Sequence, residues 1–248
     1  MDSRRRRVLR GFWARALWLH GNPANVWLWR RRQQSFGLVV ERLAERSHEF
    51  QVIQVGACDG VSADPIHSWI RRFGWKALLI EPQPEAFARL QQAYEGVAGI
   101  EMTNVAVAAE PGRLTLFRPK VTSGDDTSSL LTASFRPNPT LASRGQIEEV
   151  VVEAVTFDQV LKRSEIDRVD MLQIDVEGMD GELLRLFDFG RYMPSIVHYE
   201  HRHLSYGERR QCRLMLQELG YELIVMRHDT GGFLLKSTRV DSSSVVVA

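Results

Sequence analysis

"QVGACDG", residues 54–60, closes the apolar run Phe50 to Val55 and opens toward a segment with helical spacing. Strand, glycine turn and helix, in that order, form the first half of a parallel crossover unit. Outward from this loop, Ile66 to Phe73 reads as helix, Lys76 to Ile80 as strand, Pro84 to Tyr94 as helix and Ile100 to Ala108 as strand. Short connections in such a βαβαβ rhythm give right-handed crossovers. Arg113 to Arg118 then alternates like an edge strand, and residues 119–149 carry Pro, Ser, Thr, Gly and paired acids, as an inserted excursion does. Val150 to Val155, Val169 to Ile174 and Ile196 to Tyr199 read as strands, with helices at Phe157 to Arg163, Gly181 to Phe187 and Glu208 to Leu219. Tyr221 to Met226 and Gly232 to Leu235, parted by "RHDTG", read as an antiparallel hairpin. The expected fold class is α/β: a Rossmann-like, doubly wound, mostly parallel seven-stranded sheet with a C-terminal antiparallel hairpin and an N-terminal helical arm. Residues 1–48 are expected to form that arm, and 49–248 a single domain with an insertion at about 113–150.

Composition narrows the class. The chain has 248 residues, 44% hydrophobic and 25% charged, enough for one full core. Its apolar stretches fall short of the roughly 20 residues that a membrane helix needs, and the Arg-rich start lacks a secretory apolar segment. A cytoplasmic location is therefore expected. Cys58 and Cys212 are far apart and show no CxxC spacing, which points to free thiols and to neither a disulfide framework nor a zinc site. The net charge of +1 hides an asymmetry: residues 1–32 hold nine Arg and one acid, while the remainder holds 23 basic and 30 acidic residues. Phe12, Trp13, Trp18, Trp27 and Trp29 are interleaved with those arginines. Such an arm suits a cap packed on the domain, or peripheral contact with the inner, anionic face of a membrane. It carries no aromatic RNA-binding signature, and no nucleic-acid partner is expected.

The loop itself is wrong for a dinucleotide. GxGxxG needs its second glycine for the pyrophosphate and its third for close helix packing, and counting from Gly56 those places hold Cys58 and Val61. No GKS or GKT follows, and Asp59 puts a negative charge where a phosphate would sit. An acid beside a tight glycine turn suits a positively charged ligand, such as the amino and sulfonium groups of S-adenosyl-L-methionine. "ALLIEPQP" then places Glu81 at the end of the second strand, 21 residues beyond Gly60, where a carboxylate can accept hydrogen bonds from both hydroxyls of a ribose.

With these motifs in view, the sequence resembles the FkbM-type methyltransferases, within the class of S-adenosylmethionine-dependent enzymes with a Rossmann-like sheet. The resemblance runs through "VIQVGACDG", "LLIEPQP", "MTNVAVAAEPG", "TSSLL", "VEAVTFDQVL" and "MLQIDVEGMDGELL", in that order, over roughly residues 50–236. It implies that Gly56, Asp59 and Gly60 line the methionine end of the cofactor, that Glu81 holds its ribose, and that Asn104 and Val105 border its adenine. It implies methyl transfer to a hydroxyl of a sugar, glycan or other small metabolite. N-methylation, a metal-assisted variant, or a non-catalytic subunit of a membrane-associated glycan-assembly complex stand as alternatives. The chain departs from the family pattern at Cys58, where asparagine is common, at Gln173, where lysine is common, and at Asp180, where glutamate is common. Loss of a cation at position 173 is expected to alter the protonation of Asp175 and Glu177.

Methyl transfer to an alcohol requires a group that removes the hydroxyl proton. Asp175, at the end of the strand Met171 to Ile174, is the first candidate base, and Glu177, two residues on, a candidate for orienting the acceptor. "VHYEHRH", residues 197–203, brings His198, Glu200, His201 and His203 to the mouth of the next strand, and His201 is taken as the third catalytic candidate. Alternation along a strand separates His198 and Glu200 from Tyr199 and His201. Asp175, Glu177 and His201 around Mg²⁺ or Mn²⁺ would be chemically sound, but their spacing matches no metal signature, and no residue is assigned to a metal. Hydroxyls of "TSSLL" are placed either on the substrate or in a local turn. Acceptor identity and oligomeric state have no signal in the sequence.

Overall fold

The computed structural model describes residues 23–45, 49–62, 64–120, 133–136, 141, 143 and 146–234. Most of the basic arm and all of "TSSLL" lie outside the described residues. The chain runs as α1 (Pro23–Ala44), β1 (Gln51–Val55), α2 (His67–Phe73), β2 (Lys76–Ile80), α3 (Pro84–Ala93), β3 (Ile100–Thr103), β4 (Ala106–Val107) and β5 (Gly112–Pro119). It continues through β6 (Ile147–Val155), α4 (Phe157–Lys162), β7 (Met171–Ile174), α5 (Asp180–Leu186), α6 (Phe189–Tyr192), β8 (Ile196–Glu200), α7 (Tyr206–Glu218), β9 (Glu222–Val225) and β10 (Asp229–Phe233).

Seven strands form one sheet in the order β3-β2-β1-β7-β8-β10-β9, parallel except for β10, which runs antiparallel to both neighbours. This is the expected Rossmann-like sheet with its closing hairpin. Strand alternation sorts its side chains onto two faces. Ile53, Leu78, Leu172 and Val197 pack with Val160 of α4, Leu184 of α5 and Leu216 of α7. Val52, Leu79, Met171 and Ile196 pack with Val40 of α1, Ile70 of α2 and Leu90 of α3. Helix starts follow local chemistry: Thr156 with Gln159 and Ser205 with Glu208 make reciprocal capping boxes, and Pro84 opens α3.

Two readings of the sequence change. The run expected as one strand from Ile100 to Ala108 breaks at Asn104 and Val105. Its second piece, β4, leaves the main sheet and joins β5 and β6 in a three-stranded sheet of order β4-β6-β5. Strand β6 therefore belongs to this smaller sheet, pairing antiparallel with β5 from Gly112↔Ala154 to Pro119↔Ile147. Its outer residues alternate with exposure because only one side is covered, by a cluster that includes Leu116, Val152 and Ala154. Buried Arg118 ties this sheet to the main one, pairing with Glu148 on β6 and with Glu85 in the first turn of α3.

Helix α1 reaches well past a surface appendage. Phe36, Val40 and Ala44 are all buried on the second face of the sheet. Beneath Phe36 lies a row in register across the strands, Gln54↔Gln173↔His198↔Gly231. The Phe36 ring lies tilted against the imidazole of His198, with centroids 4.5 Å apart, and against the ring of Phe233 at 5.4 Å. Any Cβ at position 231 would lie 2.4 Å from Phe36 Cδ2, so the glycine lets the ring reach the sheet. Gln173 is turned to this side and hydrogen-bonds His198, whose pKa burial lowers to about 3, so the imidazole is neutral. Among the described residues, no helix is long and apolar enough to cross a membrane.

Truncating Phe36 should therefore unfold more than a helix end. Phe36→Ala is expected to lower the urea-unfolding free energy by about 3–5 kcal/mol, whereas Leu38→Ala, at a side chain 61% exposed, should change it by less than about 0.5 kcal/mol.

Candidate active site

The carboxyl ends of β1, β2 and β7 are fastened to one another by their backbones. Gly56 and Ala57 N–H both donate to Ile80 O, at 2.9 and 3.0 Å, and Asp175 N–H donates to Val55 O at 2.9 Å. Gly56 adopts φ +85, and a Cβ there would stand 1.8 Å from Asp175 O, so only glycine allows this approach. The result sets Glu81 and Asp175 on either side of one glycine. Around them opens a cavity of about 320 Å³ at the strand ends, the position where open α/β sheets bind ligands.

Glu81 is buried, and its two oxygens accept from Cys58 N–H and Gln83 N–H, each at 2.8 Å. Burial pushes its carboxyl up to about 7, against the pull of those hydrogen bonds from Gln83 and Cys58. Asp59 turns away from the cavity and into its own loop. Its Oδ1 accepts from Val61 N–H at 3.0 Å and Ser62 N–H at 2.7 Å, closing an Asx-type turn. Burial alone would raise the Asp59 carboxyl, but Ser62, Val61 and the charge of Arg89 together hold it below its ordinary value. Gly60, at φ +71, also faces inward, where a Cβ would meet Leu90 Cδ1 at 2.5 Å. Its part is to seat the loop on α3.

Asn104 is exposed and donates through Nδ2 to Glu81 O at 2.8 Å, holding the strand end instead of lining the cavity. Val105 lines a narrow apolar crevice that shares Gly56, Pro82, Phe135 and Val176 with the cavity wall. Cys58 and Gln83, which carry the hydrogen bonds to Glu81, also line the cavity. Spacing alone gave neither away.

On the opposite wall, Asp175 follows the last residue of β7, and the turn after it is tightly constrained. Glu177 sits at φ +53 and Gly178 at φ +112. Asp180 accepts from Val176 N–H at 3.2 Å and Gly178 N–H at 3.0 Å, while Ser134 Oγ donates to Glu177 O at 2.9 Å. A non-glycine residue in the left-handed region, fixed from both sides, is strain of the kind that gathers at functional sites. Asp175 and Glu177 both line the cavity. Gln173 is not among the lining residues, and its side chain is engaged with His198.

His201 is not brought to the cavity. Strand β8 stops at Glu200, after which His201 N–H donates to His228 O at 2.7 Å and Nδ1 meets Thr230 Oγ1 at 2.9 Å. Burial lowers this imidazole to about 4. Two residues on, where the chain has left the strand and period-two alternation no longer applies, His203 takes the place at the wall. Its Nε2 lies 2.9 Å from Glu177 Oε2 and 3.9 Å from Glu200 Oε2.

The charged groups that line the cavity are chiefly acids. Asp64, Glu81, Asp175, Glu177 and Glu200 line it against one arginine, Arg202. Burial, followed by the charges of Asp180 and Glu177, raises the Asp175 carboxyl well above its ordinary value. Glu200 is pushed up to about 10 by burial and then by Asp175 and Glu177. Mutual repulsion of desolvated carboxylates is relieved by protons or by a bound cation.

The model of the methyltransferase FkbM domain matches residues 54–223. Among solved structures, the chain is similar to the methyltransferase FkbM from Methylobacillus flagellatus KT, at 13% identity and a TM-score of 0.47, over 75% of this chain and 44% of that one. It is also similar to the Methanococcus jannaschii fibrillarin pre-rRNA processing protein, at 11% identity and a TM-score of 0.44 over 75% and 67%. A fibrillarin/Nop5p complex gives 9% identity and a TM-score of 0.41 over 75% and 72%. The chain thus spans less than half the length of the Methylobacillus protein. No curated protein matches it. From the glycine loop at Gln54 to β9 the family model covers both walls of the cavity, and the chain belongs to the methyltransferase FkbM domain family.

Proposed function

We propose that the protein is an S-adenosylmethionine-dependent methyltransferase acting on a hydroxyl of a sugar, glycan or other small metabolite. The observation that carries this reading is the convergence of Glu81, the bare backbone of Gly56 and Asp175 on one acid-lined cavity. These residues fit the methyl donor. Each Glu81 oxygen accepts one backbone N–H and keeps further acceptor capacity for a ribose hydroxyl. Gly56 admits a ligand close to the main chain, and five carboxylates against one arginine favour a molecule carrying sulfonium and ammonium charges.

S-adenosylmethionine, when bound, supplies an electrophilic methyl group for in-line displacement. The protein's own part is to hold the acceptor oxygen in line and to take its proton. The Asp175 carboxylate receives that proton in this reading. Burial and neighbouring acids raise its proton affinity, and a cation in the cavity favours the ionised form that can accept a proton. Glu177, pinned in its strained turn, orients the acceptor hydroxyl. Leu116, Ala133 and Phe135, from the small sheet and the segment beside it, close the cavity on the acceptor side.

Calorimetry with S-adenosylmethionine should show binding by the wild type that weakens at least about 10-fold in Glu81→Ala, with thermal unfolding as a check on folding; equal affinities would remove the donor assignment. Asp175→Asn should bind the donor within a few-fold of wild type yet lose about 10²–10⁴ in kcat with labelled donor and an acceptor identified from a glycan and metabolite extract. Near-normal turnover would exclude Asp175 as the base.

The acids of the cavity contribute a pH dependence of definite sign to stability. Glu81 at about 7 and Asp64 at about 6, raised chiefly by burial, bind protons more tightly folded than unfolded. Their contribution is complete below the ordinary carboxylate range and is lost as pH rises through about 6–7. Their share should accordingly lower the melting temperature of the unliganded protein by about 5 °C or more from pH 5 to pH 8 in differential scanning calorimetry. Buried His198 and His201, lowered to about 3 and 4, act in the opposite sense, so the comparison is made with Glu81→Gln: a pH dependence unchanged by that substitution would contradict the placement of Glu81.

A further inference from the structure

Glu200 and His203 have no part in the proton transfer, yet they face the same cavity as Glu177. Glu200 is only 8% exposed, and its Oε2 has no hydrogen-bond partner among the described residues. A desolvated carboxylate oxygen without a donor is costly, and carboxylates so placed are usually paired or coordinate a metal. The nearest candidate partner is His203 Nε2, at 3.9 Å, beyond hydrogen-bond reach and already 2.9 Å from Glu177 Oε2.

We infer that Glu177, Glu200 and His203 form a binding site for one divalent cation of the Mg²⁺/Mn²⁺ class. Their ligating atoms all lie within 4.8 Å of one another. Two ligand atoms about 2.1 Å from a common ion stand about 3.0 Å apart at a right angle and about 4.2 Å apart when opposed. The 3.9 Å separation falls in that interval and the 2.9 Å one lies at its lower edge, so one ion can reach all three groups with small side-chain adjustments. Two carboxylate oxygens and one imidazole nitrogen are a predominantly hard donor set, and the imidazole favours Mn²⁺ over Ca²⁺. This set differs from the one the sequence offered, because His201 is committed to Thr230.

Both ligand-bearing turns are held by contacts that need no ion. The turn at Glu177 is fixed by Asp180 and Ser134. The turn at His203 is fixed from α7, where Arg209 donates to Leu204 O and Arg202 O, each at 2.8 Å. A Cβ on Gly178 would lie 3.5 Å from His203 Cβ, so the two turns rest against one another. Such pre-organisation is what a metal site of few protein ligands requires. With three protein ligands, an octahedral ion keeps positions for neutral oxygens, and neighbouring hydroxyls of a sugar are chemically suited to them. That use of the ion rests on the methyl-transfer reading; the binding of the ion does not.

The test is a titration of the full chain, stripped with EDTA, with MnCl₂, following free Mn²⁺ by electron paramagnetic resonance. One Mn²⁺ per chain is expected, with affinity reduced at least about 10-fold in Glu200→Gln and in His203→Ala. Glu149→Gln, at an exposed acid of β6, should bind as the wild type does. Should either buried-site variant lose cooperative thermal unfolding, Glu177→Gln, at a half-buried side chain, takes its place with the same expected loss. No saturable Mn²⁺ binding by the wild type, or equal binding by every variant, overturns the inference. Parallel calorimetry with S-adenosylmethionine alone separates the two readings: Mn²⁺ binding without donor binding keeps the metal site and removes the methyl donor, and the reverse removes only the metal site.

Discussion

The closeness of Gly56 to the Asp175 carbonyl is the constraint on which the site depends. Three strands end together because the main chain of one loop passes where no side chain can, and this leaves Glu81 on one side and Asp175 on the other. A bulkier residue at position 56 would separate β1 from β7, taking both acids out of register with each other. The electrostatics follow from the packing. Acids carried to the ends of buried strands lose water but gain only a few hydrogen-bond donors, so their proton affinity rises, and a positively charged guest becomes the natural way to restore balance.

The main sheet was legible because its strands are buried on both faces and bounded by glycine and proline, so apolar runs such as Gln51–Val55 and Met171–Ile174 stand out without any alternation. The small sheet was not. Asn104 and Val105 carry no turn residue strong enough to announce that one apolar run is two strands, and the choice of sheet for β6 is made by pairing with β5, a contact that local sequence does not encode. Helix α1 was legible as a helix, but its burial depends on Gly231, almost 200 residues away, being bare enough to receive Phe36.

The site divides in the same way. Residues at strand ends were placed by pattern: Glu81, Asp175 and Gly56 all line the cavity. Residues in the loops are held by local partners that their spacing does not reveal. Asp59 prefers two N–H groups of its own turn, Gly60 serves α3, and His201 finds Thr230. His203 shows the limit most plainly, since period-two reasoning ends with the strand at Glu200 and the main chain beyond it is held by Arg209, leaving His203 against the turn at Glu177.

Arg118 gives the small sheet a consequence for the whole cavity. Its guanidinium joins Glu148 to Glu85, four residues beyond Glu81, while on the far rim Ser134, bridged to Phe117 of the same sheet, grips the carbonyl of Glu177. The sheet is therefore anchored at both rims, more like a lintel across a doorway than a flap hung from one hinge. Displacing it cannot widen the mouth on one side alone. The Glu81 wall and the Glu177 wall are geared to each other, and anything large enough to push against the lintel bears on both.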